Sequence, residues 1–172
     1  VYLASTDAHT LHALDATTGE RLWQVVFDAR IDSPPTVDSG VVVFGCRDGW
    51  AYCLKANSGQ LVYRFRPVPQ ERLIGAFGQL ESAWPVHGSV LVRDGKAYCT
   101  AGRQRFLDGG ILLLVLDVKT GQLVHEKLLD ETDDATGQDL HAQAKGLSMP
   151  VALSDILSAN DRYLFMHEQV FD

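Results

Sequence analysis

The sequence predicts an all-β fold: four-stranded antiparallel blades making up about half of a β-propeller ring. Three observations point there. A strand–turn–strand segment recurs three times, centred on Gly19, Gly59 and Gly121. The first two glycines stand about 40 residues apart, the period of a four-stranded blade, and the third follows after about 60, which leaves room for an insertion. Apolar and polar residues alternate on both sides of each turn, the pattern of a half-buried strand.

The elements follow in order. The first copy runs from Leu11 through Asp15 and Gly19 to Trp23. It is expected to lack strand A and to supply B, C and D over 1–30. The chain begins within what reads as a strand, so a piece of a longer protein is expected. In the second copy, strand A is expected at 33–37, B at 41–46, C at 50–55 and D at 60–65, filling a blade over 31–66. Asp48-Gly49 between B and C is a hairpin signal. The third copy places A at 86–92, B at 96–101, C at 111–116 and D at 122–128, a blade over 82–128. Stretches 151–157 and 163–167 read as A and B of a further blade over 149–172, with C and D missing. All of this makes one segment, 1–172. Rings remove their sheet edges by closing, so a piece open at both ends is expected to self-associate without the rest of the ring.

Composition narrows the function. Net charge is −7, with 46% hydrophobic and 22% charged residues. An acidic chain disfavours nucleic acid as a partner, because phosphate binding needs concentrated Lys and Arg. The longest apolar run, 110–116, is far short of the roughly 20 residues that span a bilayer. Cys46, Cys53 and Cys99 form neither a metal spacing nor an adjacent pair. Buried free thiols are expected, with a Cys46–Cys53 bridge as the alternative for an exported protein. The six histidines, His9, His12, His87, His125, His141 and His167, form no ligand or catalytic pattern. The acidic stretch Asp130, Glu131, Asp133, Asp134 and Asp139 reads as a solvated loop, not as a calcium loop.

Loop length marks one face. The A–B and C–D turns are short, whereas the D–A crossovers 66–81 and 129–147 and the B–C loop 102–110 are long. All three long segments fall on the same face of a propeller, and binding residues gather on loops held by a rigid scaffold. Trp84 and His87, entering strand A, and Arg103 and Arg105, in the B–C loop, are the candidate ligand-binding residues. Arg suits a carboxylate or phosphate and Trp offers a stacking surface, so a small polar or anionic ligand or a protein segment is expected. The alternative is that Trp84 packs between blades while the arginines pair with Glu81, Asp108 or the acidic crossover. No catalytic residue and no metal site is evident.

Ala13, Asp15, Thr18, Gly19 and Trp23 match A-x-D-x-x-T-G-x-x-x-W at every fixed position. This resembles the tryptophan-docking motif of quinoprotein alcohol dehydrogenases and the wider PQQ-like propeller repeat proteins. The second copy keeps Gly59 but has Lys55 and Tyr63 in place of Asp and Trp. The third keeps Asp117, Thr120 and Gly121 and has His125 in place of Trp. The resemblance implies a structural role for Asp15, Thr18, Gly19, Trp23, Gly59, Asp117, Thr120 and Gly121, with each Trp packed between blades. It also implies the remaining blades of the ring as partners and a periplasmic, envelope or extracellular location. Pyrroloquinoline quinone (PQQ) and calcium come from the resemblance alone. A non-catalytic binding or scaffold module is therefore expected. The alternatives are part of a PQQ-dependent dehydrogenase and a sensor domain fused to another enzyme.

Overall fold

The structure is a computed structural model that describes residues 1–133, 136–140, 156–166 and 169–172. Sixteen strands fill those residues, and every pairing is antiparallel. The first sheet is β1 (Tyr2–Ser5), β2 (Thr10–Leu14) and β3 (Arg21–Val26). The second is β4 (Thr36–Asp38), β5 (Val41–Gly45), β6 (Ala51–Lys55) and β7 (Leu61–Phe65). A separate hairpin, β8 (Leu73–Ala76) and β9 (Gln79–Ser82), follows. The third blade is β10 (Leu91–Arg93), β11 (Lys96–Ala101), β12 (Ile111–Asp117) and β13 (Leu123–Leu129). The last sheet is β14 (Leu157–Ala159), β15 (Leu164–Met166) and β16 (Gln169–Phe171). The sheets do not close into a ring.

Strand periodicity explains why the central strands are apolar on both faces. Successive side chains point to opposite sides of a sheet, and a blade has a neighbour on each side. Val42 and Phe44 of β5 pack into the core shared with the first blade, beside Leu11, Ile31 and Tyr52. Val43 points the other way, into the core shared with the third blade, beside Val86, Cys99 and Leu114. β12 repeats this division. Leu114 and Leu116 face the second blade, and Ile111 and Leu113 face the last sheet with Leu157 and Met166. The first blade has no described neighbour beyond it, and Leu3, Leu22 and Val26 are exposed there.

Three features differ from the sequence expectation. The crossover at 66–81 folds its second half into β8–β9. Strand A of the third blade starts at Leu91 and not at 86. The Val86 N–H donates to the Cys46 carbonyl at 3.1 Å, and Gly88 turns the chain with φ of +82°. Finally, the last sheet has a third strand, β16, where only two were expected. Expected strand residues 151–155 and 167 lie outside the described residues.

All three cysteines are buried and free. Burial raises each thiol, Cys53 to about 11 and Cys99 to about 12, so none is a reactive thiolate at neutral pH.

Candidate functional site

The C–D turns and the aromatic side chains that follow them form one repeated joint. Asp15 Oδ1 accepts the Thr17 and Thr18 N–H groups at 2.8 Å, and the Asp15 carbonyl accepts the Gly19 N–H at 3.0 Å. These backbone donors hold the Asp15 carboxyl below the usual carboxylate range. Asp117 does the same for Thr120 and Lys119. Lys55 has no carboxylate to offer, yet its carbonyl still receives the Gly59 N–H at 2.9 Å, and its Nζ donates to Gln60 Oε1 at 2.8 Å, so the turn is kept without the aspartate. Gly19, Gly59 and Gly121 all have φ near +70°, a conformation in which glycine carries no steric cost.

In the first two repeats the ring at the far end lies on the next blade. Trp23 pairs with Ala13 and Tyr63 with Cys53, each just before a β-bulge. The Trp23 Nε1–H donates to the Ala56 carbonyl at 3.0 Å, and its ring covers Gly59: a Cβ there would lie 2.8 Å from Cε3. Tyr63 covers Gly121, where a Cβ would lie 2.4 Å from Cδ2. His125 holds the same register position opposite Val115. It lines a groove of about 490 Å³ between the third blade and the last sheet, with Tyr98, Arg93 and Arg162.

The long loops come together on one face, and arginine–carboxylate pairs tie them. The hairpin turn Phe77–Gly78 has positive φ at both positions, the turn type that matches strand twist. It brings Glu81 down onto the crossover between the first two blades. Glu81 is 1% exposed and accepts Arg30 Nε at 2.7 Å and Arg47 Nη1 at 3.2 Å. Arg47 Nε also donates to Asp32 Oδ2 at 2.5 Å. At the tip, His9 Nε2 meets Gln79 Oε1 at 2.7 Å, and the Arg30 guanidinium lies 4.3 Å from the Phe77 ring centre. A second knot centres on Asp108, which pairs with Arg72 at 2.8 Å and with Arg103.

The structure brings the four candidate binding residues to the 102–110 loop and divides them by partner. Trp84 is half-buried and donates its Nε1–H to the Asp108 carbonyl at 2.7 Å. Arg103 pairs with Asp108, and its buried Nε has no hydrogen-bond partner. His87 Nε2 bonds the Gly102 carbonyl at 2.8 Å. Burial, then the Arg47 charge, lowers its pKa, so a neutral ring donates that bond. Arg105 is 8% exposed, turned away to the carbonyls of Asp130 and Thr132. Trp84 and Arg103 thus bond to Asp108 of the 102–110 loop, and Arg105 ties that loop to the segment 130–132.

Two groupings were not read from the sequence, which offers Glu81 only as an alternative partner of Arg103 and Arg105, and Asp133 only as part of the acidic stretch. Arg30, Arg47 and Glu81 come from separate crossovers and loops, and no local pattern joins them. The other group did carry a signal. Asp133, Thr136 and Gly137 repeat the Asp-x-x-Thr-Gly turn: Asp133 Oδ1 accepts the Thr136 N–H and hydroxyl at 2.8 Å, and its carbonyl accepts the Gly137 N–H at 2.7 Å. Asp134 and His141 lie outside the described residues.

The fit to a quinone–calcium centre follows from the donor set. Ca²⁺ takes six to eight oxygen ligands, but Glu81, Asp32 and Asp108 each already face an arginine. Among the described residues, no three His, Cys, Asp or Glu side chains are placed to hold a metal ion. The described residues of this face do not fit the ion.

The repeated joint and the antiparallel blades define a β-propeller repeat protein. The chain belongs to the PQQ-like repeat family: residues 7–162 match the family described as outer membrane protein assembly factor BamB. It is 29% identical over 136 residues to the dehydrogenase subunit of a quinone-dependent alcohol dehydrogenase from Gluconobacter oxydans (strain 621H). That match covers 72% of this chain and 17% of the subunit. Its structure is similar to that of the quinohemoprotein alcohol dehydrogenase ADHIIG from Pseudomonas putida HK5, with a TM-score of 0.68 and 17% identity over 96% of this chain and 26% of that one. BamB from Moraxella catarrhalis matches with a TM-score of 0.50 and 18% identity, covering 96% of this chain and 66% of that one. The chain therefore spans under a fifth of the dehydrogenase subunit that it matches. No helix among the described residues is long and apolar enough to cross a membrane.

Proposed function

We propose that the chain is a non-catalytic propeller segment, a scaffold whose loop-rich face holds a partner. One observation carries this reading: Glu81 lies between Arg30 and Arg47, and Asp108 between Arg72 and Arg103, so these charged groups tie the loops of that face to one another. In the same reading Trp84, His87, Arg103 and Arg105 lock the 102–110 loop in place, the remaining blades of the ring are partners, and the protein works in the periplasm or envelope. Neither PQQ nor calcium is needed for that role.

A second reading, part of a PQQ-dependent dehydrogenase, is favoured by the 29% identity to the quinone-dependent dehydrogenase subunit. Titrating the intact protein with PQQ and Ca²⁺ while following absorbance and melting separates the two. The scaffold reading expects no saturable binding and an unchanged Tm. Saturable binding that raises Tm would replace it with the dehydrogenase reading.

A further inference from the structure

The base and the arm of the hairpin β8–β9 are held in different ways. The base is fixed to the blades. The Ser82 N–H donates to the Arg47 carbonyl and the Ala83 N–H to the Arg72 carbonyl, each at 2.8 Å. Ser82 also lies against Gly49, where a Cβ would stand 2.7 Å from the Ser82 Oγ. Arg72 pairs with Asp108, and Ala83 is fully buried.

The arm, Leu73 to Glu81, carries its large apolar groups outward. Leu73 is 51%, Leu80 65% and Phe77 at the tip 80% exposed. Among the described residues, no side chain of β8 or β9 belongs to one of the three apolar cores. Polar contacts tie the arm down: Glu81 to Arg30 and Arg47, Gln79 to His9, and Phe77 against the Arg30 guanidinium.

These ties differ in kind from the forces that hold the blades. Apolar burial is the main favourable term in folding, and a two-stranded hairpin by itself is marginal. Deleting one partner of a buried ion pair is costly, whereas moving both partners into water restores their hydration. The blades keep Phe44, Cys53 and Leu114 fully buried in their cores. A segment with few buried apolar contacts opens at lower free energy than such cores.

We infer that β8–β9 is a latch. The arm lifts off the joint between the first two blades as one unit, turning about Arg72 and Ser82 while the blades stay folded, and Glu81 is its catch. Closed, it covers Arg30 and Arg47, which are 12% and 17% exposed, and presents Phe77 and Leu80. Open, it bares the two guanidiniums. The loop-rich face therefore has two arrangements, and a partner that prefers one of them shifts the balance towards it.

Native-state hydrogen exchange of the intact protein, read at a series of urea concentrations below the unfolding transition, tests the latch. The Ser82 N–H leaves the hairpin, so the alternating ladder makes Ile74–Glu81 and Ala76–Gln79 its hydrogen-bonded pairs. The amides of these four residues should exchange together, about tenfold or more faster than those of β6 and β12 after correction for intrinsic rates. Their rates should change little with urea, because the opening exposes little new surface. Glu81→Ala should speed all four about 100-fold further, since it strands two buried guanidiniums in the closed form only. The first comparison needs no variant. Hairpin amides that exchange only with β6 and β12, on the same urea dependence, would overturn the latch. So would four unrelated rates, or rates that Glu81→Ala leaves unchanged. The latch goes beyond the scaffold reading and does not depend on it: quinone binding would overturn that reading and leave the exchange result standing.

Discussion

The joint between the first and second blades and the joint between the second and third are built on one plan with different rings. Trp23 covers Gly59 and also donates a hydrogen bond to Ala56. Tyr63 covers Gly121 more closely, but its buried hydroxyl has no hydrogen-bond partner. The comparison separates two contributions. Ring-on-glycine packing is common to both joints, so it holds the blades together. The indole N–H adds one hydrogen bond to the first joint only. Glu81 spans the first joint from above, because it ties the second crossover to Arg30 of the first and to Arg47 of the second blade.

Removing that clasp has the largest expected effect. Glu81→Ala leaves two guanidiniums, 12% and 17% exposed, without their shared carboxylate. A loss of about 3 kcal/mol in urea unfolding is expected, the range for breaking one side of a buried ion pair. A loss below about 1 kcal/mol would show the clasp to be incidental. Trp23→Ala should cost about 2–3 kcal/mol, somewhat less than a fully buried aromatic, because the ring is half-exposed. Trp23→Phe isolates the hydrogen bond and should cost about 1 kcal/mol.

A smaller effect comes from pH. Burial lowers the folded-state pKa of His87 beneath its ordinary value of 6.5. The unfolded chain therefore binds a proton that the folded one refuses, and stability falls as pH drops through about 6.5 towards the lower folded value. Tm should decline between pH 7 and pH 5, and His87→Asn should flatten part of that decline. The smallest effect belongs to the second joint. Tyr63→Phe removes a buried hydroxyl without a partner, and should be neutral or stabilising by up to about 1 kcal/mol. A clear loss would mean that the hydroxyl bonds to something in solution.

The blades were legible because strand alternation and the turn residues are local signals. Three turns repeat around Gly19, Gly59 and Gly121, and the strands beside them fall within a few residues of where the alternation puts them. The hairpin β8–β9 was not legible. Its strands are short, and its two-residue turn places Phe77 where Asn or Asp usually marks the position. The third Asp-x-x-Thr-Gly turn, at Asp133, was readable, but it lies in an acidic run that hid its register. The Arg103–Asp108 pair was among the sequence alternatives, but the Glu81 clasp had no sequence signal: Arg30 and Glu81 are 51 residues apart, and only the packing of two crossovers brings them together.

The most direct test of the joint is a comparison of three glycines that share φ near +70° but differ in what lies above them. Replacing each by alanine costs about 1 kcal/mol for the backbone conformation. Gly19 has nothing within 4 Å of the added methyl, whereas Gly59 and Gly121 have an aromatic ring under 3 Å away. Urea unfolding should therefore show Gly19→Ala losing about 1 kcal/mol, and Gly59→Ala and Gly121→Ala about 2–4 kcal/mol each, because overpacking adds to the backbone cost. Equal losses at all three positions would contradict the claim that aromatic rings seated on glycine hold these blades together.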